Sequence, residues 1–105
     1  MKNNLIFQNV SISTITFINN KNDIKFEFVD SYQRSGKYCG ELICVNFSSL
    51  NMHADLNDDP FFPQFICDIS VEQIHNIKNC FHIEFLGGAY DISITCENFE
   101  ILRPE

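Results

Sequence analysis

Cys80-Phe81-His82-Ile83-Glu84-Phe85-Leu86-Gly87-Gly88-Ala89-Tyr90-Asp91-Ile92-Ser93-Ile94-Thr95-Cys96 is the stretch on which the fold turns. Apolar and polar residues alternate on both sides of Gly87-Gly88, and a period of two places one set on each face of a strand. The glycine pair takes the positive φ that a tight primed turn requires, so the two runs read as an antiparallel hairpin. A two-residue turn sets the register. Leu86 faces Ala89 beside the turn, and Phe85 faces Tyr90, Ile83 faces Ile92 and Phe81 faces Ile94, an apolar ladder on one face. The other face sets Glu84 against Asp91, His82 against Ser93 and Cys80 against Thr95.

Upstream, residues 5–18 read as strand, with Val10 and Ile12 on one parity and Ile15 and Phe17 on the other. The phase slips near Ser13-Thr14, which predicts a bulge or a break. Asn19 to Asp23 is a polar turn cluster. Ile24, Phe26 and Phe28 alternate with Lys25 and Glu27 as a half-buried strand. Residues 38–47 form the next strand, and Leu42-Ile43-Cys44-Val45 is apolar at both parities, as expected where both faces are covered. Residues 48–64 read as a long connection, and Phe65 to Ile69 as a short strand. Ser70 with Gln73 resembles a capping box, so a short helix is expected over 71–77. Phe99 to Leu102 is a last strand or an extended tail. The expected fold is therefore mainly β, a β-rich α+β domain spanning 1–105. It has an antiparallel sheet of about six or seven strands and one short helix after Ser70. The strand pattern alone leaves a closed barrel and a curled or open sheet as alternatives.

The chain has 105 residues, 45% hydrophobic and 20% charged, the balance of a globular domain with one core. Eleven Phe and no Trp favour pleated, half-buried surfaces. Fourteen acids against seven Lys plus Arg leave a formal net charge of -7. Nucleic acid and anionic membrane are poor partners for such a surface, because phosphates call for Lys and Arg. A basic protein is the natural partner, since long-range attraction speeds encounter. Five Cys, an odd number without CxxC spacing, suit reduced thiols in the cytoplasm better than a secreted disulfide framework. Residues 1–11 do not have the form of a signal peptide, and no apolar stretch reaches membrane-spanning length.

The candidate chemistry is sparse. Asp55, Asn57 and Asp59 have calcium-loop spacing, but Pro60 stands where that loop needs Gly and Ile66 where it needs Glu. Cys80 and His82 share a strand face without a second ligand pair, so no metal site is expected. Nor do Glu84 and Asp91 supply the electropositive setting that would activate a thiol. No catalytic set, cofactor site or phosphate-cradling Gly loop is present, so the chain reads as a binding protein and not an enzyme. The interaction candidates are two. Asp55, Asp58 and Asp59 flank Phe61 and Phe62, with Pro60 and Pro63 stiffening the backbone, and aromatic anchors ringed by charge suit an interface. Glu84 and Asp91 form the second, a like-charge pair that a partner's cations would relieve unless Lys25 or Lys37 does so.

The stretches Gly40-Glu41-Leu42-Ile43-Cys44-Val45-Asn46-Phe47, Phe85-Leu86-Gly87-Gly88-Ala89-Tyr90-Asp91-Ile92 and Cys96-Glu97-Asn98-Phe99-Glu100-Ile101 carry a resemblance. Over roughly residues 40–102 they look like small immunity proteins paired with the toxic C-terminal domains of bacterial contact-dependent inhibition and polymorphic toxin systems. The likeness lies in general character, since those proteins are also short, acidic and β-rich, with a Gly-Gly hairpin near the end. It implies a cytoplasmic inhibitor that binds one cognate toxin, often a basic nuclease, and covers its active site. It carries no binding residue over, because each such pair evolves its own surface. Two other readings stand beside it: a small apolar-ligand-binding β domain, and an acidic secretion chaperone or assembly subunit.

Overall fold

The computed structural model describes residues 4–18, 22–30, 37–54, 64–74, 80–86 and 90–104. Six strands account for nearly all of these: β1 Asn4–Ile18, β2 Asp23–Asp30, β3 Tyr38–Ala54, β4 Gln64–Gln73, β5 Phe81–Leu86 and β6 Tyr90–Leu102. They close into an antiparallel barrel in the order β1-β2-β3-β6-β5-β4, with β4 pairing back to β1. The barrel is built from two meanders, β1–β2–β3 and β4–β5–β6, joined along two seams, β3 with β6 and β1 with β4.

Alternation decides which side chains line the interior. Along β2, Ile24, Phe26 and Phe28 are fully buried while Lys25 and Glu27 stand outside. The same period brings in Val10 and Ile12 from β1, Leu42 and Cys44 from β3, and Ile83 and Phe85 from β5, while Phe7, of the other parity on β1, also enters from the far side of Asn9. Aromatic rings fill the centre: Phe7 packs on Phe28 at 4.6 Å, Phe28 on Phe85 at 6.2 Å, and Phe85 on Phe26 at 4.8 Å. These tilted contacts lie in the range favoured by ring quadrupoles.

A small barrel needs tight coiling, and bulges provide it. The β1–β2 register shifts between Ile12 and Thr14, where the sequence phase slips. Further shifts fall between Leu5 and Phe7, Phe28 and Val29, and Phe47 and Ser49. Asn9 and Asn46 take φ of 55° and 52°, a region that asparagine tolerates better than most residues. Gly40 has φ 131°, and a Cβ there would stand 2.5 Å from the Leu102 carbonyl oxygen and 3.1 Å from the Phe7 ring. Just beyond β6, Arg103 stacks 4.7 Å from the centroid of Phe7 and donates to the Ile6 carbonyl.

Three expectations are corrected. The helix expected after Ser70 does not begin there: residues 71–73 continue β4, and Ser70 is buried mid-strand between Leu5 and Glu84. Residues 75–79 lie outside the described residues. The connection expected from residue 48 begins later, because β3 runs on to Ala54. The hairpin strand and the expected last strand are one, β6. Cys39, Cys44, Cys80 and Cys96 are free thiols, and Cys67 carries no described side chain. Among the described residues no helix is long and apolar enough to cross a membrane.

Candidate functional site

Past Cys44, β3 extends beyond its last pairing with β2 and stays paired with β6 through Ala54. The signal for this extension lies in the alternation of Leu50, Met52 and Ala54 with Asn51 and His53, a period of two inside what reads as a loop. The extension sets Asn51 opposite Ser93 and His53 opposite Asp91.

The β5–β6 register differs from the two-residue-turn expectation. Glu84 pairs with Ser93, Phe85 with Ile92 and Ile83 with Ile94, a slide of two residues along the partner strand. Gly87, Gly88 and Ala89 lie outside the described residues. The slide has a physical cause: β6 must also register with β3, and β5 with β4, so neighbours on both sides compete with the turn's preference. A slide of two keeps every residue on its face, so Ile83, Phe85, Ile92 and Ile94 still line the core. It does separate Glu84 from Asp91, which are diagonal neighbours rather than opposite partners. The expected like-charge clash is therefore absent at that position.

Around these residues the outer surface holds an open groove of about 370 Å³. Asn51 and His53 of β3, Glu84 and Leu86 of β5, and Asp91 and Ser93 of β6 line it. Leu86 is 40% exposed, giving the groove one apolar wall. Glu84 does not float freely: its Oε1 lies 3.0 Å from His82 Nε2, and His82 Nδ1 lies 3.4 Å from Thr95 Oγ1. This contact also gives His82 partners other than a metal or Cys80. Among the described residues no three metal-ligating side chains converge.

The strands of both meanders are net acidic, with Asp23, Glu27, Asp30 and Glu41 against Lys25 on the first, and the second is the more one-sided. Strands β4, β5 and β6 carry Asp68, Glu72, Glu84, Asp91, Glu97 and Glu100 and not one Lys or Arg. Lys25, a sequence candidate for neutralising Glu84 and Asp91, sits instead on the first meander. Its Nζ is 3.2 Å from Glu27 and 3.6 Å from Glu41. The pair with Glu27 is the main cause raising the Lys25 pKa. The Thr14 hydroxyl, donating at 2.9 Å, is the main cause holding the Glu27 carboxyl below its ordinary range, with Lys25 second. Lys37 lies at the β2–β3 end, where its carbonyl accepts from the Asp30 amide.

Among the described thiols, Cys96 is held below its ordinary range, first by its hydrogen bond with Cys44, and is itself buried inside the barrel. Burial, then the charge of Asp30, pushes the Cys39 thiol up. Cys44, hydrogen-bonded to Cys96 inside the barrel and desolvated there, is pushed up strongly. Of the other sequence candidates, Asp55, Asn57, Asp58, Asp59, Phe61 and Phe62 lie outside the described residues.

Residues 5–103 match the model of a family described only as "-like", an uncharacterised family, and the chain belongs to it. No curated protein matches the chain significantly. A crystal structure of an uncharacterized protein from Neisseria gonorrhoeae is similar to the barrel, with a TM-score of 0.79 at 26% identity. The match covers 96% of this chain and 97% of that one.

Proposed function

We propose that this protein is a non-catalytic binding domain that captures one basic protein and neutralises it, as an immunity protein covers the active site of its toxin. The observation that carries this reading is the acidity of the second meander: six acids and no Lys or Arg on three adjacent strands, with two of the acids, Glu84 and Asp91, lining an open groove. A surface of this kind is desolvated favourably only against cations, and it steers a cationic partner from a distance. A nuclease fits, because its cleft must offer Lys and Arg to phosphates, and carboxylates can occupy the same groups. The packed Phe7, Phe26, Phe28 and Phe85 rings favour a partner on the outer surface over an apolar ligand inside. A secretion chaperone would share the acidity but ordinarily works through long amphipathic helices, whereas strands build the described surface here. The cytoplasm is the compartment that suits free thiols and an intracellular target.

The test is affinity purification from the native host at low salt, identification of the retained protein, and its expression with and without this chain. The expected partner is basic and toxic alone, and co-expression relieves the toxicity. Its association rate falls steeply as salt rises, since screening sets in beyond about 10 Å at 0.1 M. Replacing Glu84 and Asp91 together by Ser weakens binding about tenfold, roughly 1.4 kcal/mol, without loss of monomer stability. An acidic partner, unrelieved toxicity or a salt-independent rate overturns the reading.

A further inference from the structure

Resting on that reading, we infer that the groove between Glu84 and Asp91 receives an arginine side chain of the partner. Its two carboxylates come from neighbouring strands and are offset diagonally, because Glu84 is paired with Ser93 and Asp91 with His53. The Ser93 hydroxyl, opposite Glu84 and two residues from Asp91, adds a neutral acceptor beside both, and the Asn51 carboxamide stands beyond it on β3, two residues from His53, which is opposite Asp91. Leu86 supplies apolar surface along one side. Acceptors spread across a groove match a planar guanidinium, which presents five donors in a fixed fork. A lysine ammonium is a compact point charge, more strongly hydrated, and satisfies fewer of these groups at once. The aliphatic stem of an arginine would lie on Leu86 while its head reaches the carboxylates.

His82 acts here as a positioning residue. Standing between Thr95 and Glu84, its ring holds Glu84 Oε1 at 3.0 Å and so orients the carboxylate before a partner arrives. An oriented acceptor loses less side-chain entropy on binding. Strands β4, β5 and β6 bring no Lys or Arg of their own to the groove.

The experiment is an amide NMR titration of the full chain with the capped peptide acetyl-Gly-Arg-Gly-amide and its lysine counterpart. With the arginine peptide, the amides of Leu86, Asp91, Ile92 and Ser93 shift, with millimolar affinity. The lysine peptide binds about threefold more weakly or worse. The paired changes Glu84→Gln and Asp91→Asn abolish the shifts while the rest of the spectrum stays in place. His82→Ala lowers the preference for arginine at unchanged melting temperature, and His82→Asn restores it. Equal response to both peptides, shifts centred elsewhere, persistence in the Gln/Asn variant, or no shift at about 10 mM peptide overturns the inference. A basic partner that is neutralised while the arginine peptide ignores the groove sinks this inference alone. Arginine binding here, with no toxic partner to be found, supports it and sinks the earlier reading.

Discussion

Glu27 and Glu41 stand directly opposite each other on β2 and β3, and Lys25 holds the two carboxylates together from 3.2 and 3.6 Å. Like charges facing each other across a ladder are destabilising, so this cation offsets a local repulsion rather than adding an isolated ion pair. Lys25→Met is expected to lower the melting temperature by a few degrees, and raised salt to narrow the gap. Adding Glu41→Gln to Lys25→Met should recover most of the loss. Thermal scans of the three proteins at low and high salt check this.

Tyr38 borders the same network, its hydroxyl donating to Glu41 Oε2 at 2.6 Å. That bond is the main cause pushing the phenol up to about 12, with desolvation and the charge of Glu41 following. The bond exists only with the phenol protonated. Its contribution to stability is therefore complete below the ordinary tyrosine range and is lost as pH rises from about 10 towards 12. Ultraviolet titration should show one of the three tyrosines ionising late, and Glu41→Gln should bring it forward.

The rings inside the barrel touch one another, so removing one leaves a gap that its neighbours cannot easily fill. Phe28, fully buried between Phe7 and Phe85, is expected to cost about 3–5 kcal/mol on change to Ala. Phe17, 64% exposed, should cost far less. Urea unfolding of the two variants, with unchanged slope, measures the difference.

Gly40 is held where a side chain has no room. Gly40→Ala must both accept φ 131° and move the Leu102 carbonyl, 2.5 Å from the new Cβ. A loss of about 1–3 kcal/mol is expected. Hydrogen exchange should quicken at the end of β6 before it does on β5.

The residues that line the barrel were legible because strand alternation is a local property. Ile24, Phe26 and Phe28 announce their side without reference to any other strand. The bulge near Ser13 was legible for the same reason, as a break in phase. What escaped was set by residues distant in sequence. Ser70 with Gln73 has the chemistry of a helix cap, but Ser70 is flanked by Leu5 and Glu84 on either side, and ladder partners outweigh a cap that has no helix to serve. Gly87-Gly88 permits a two-residue turn without compelling one, and β6 answers to β3 as well as to β5. Glu84 and Asp91 were legible as outward acids of one surface. Asn51, His53 and Ser93 joined them only through the β3–β6 seam, which no local pattern announces. Whether the sheet closes depends on Asn4–Ile12 finding Gln64–Val71, a pairing equally invisible locally.

The two seams carry a kinetic consequence. Each meander needs only hairpin contacts between consecutive strands, which form early and at low entropic cost. The β3–β6 and β1–β4 pairings demand that two separately ordered halves meet in register, and neither seam is complete in geometry until the other closes. The rate-limiting step is therefore expected to be a docking event between halves of one chain, slow in the manner of non-local β topologies. Destabilising changes confined to a hairpin should chiefly speed unfolding, whereas changes along Leu50–Ile94 or Val10–Ile66 should slow folding itself.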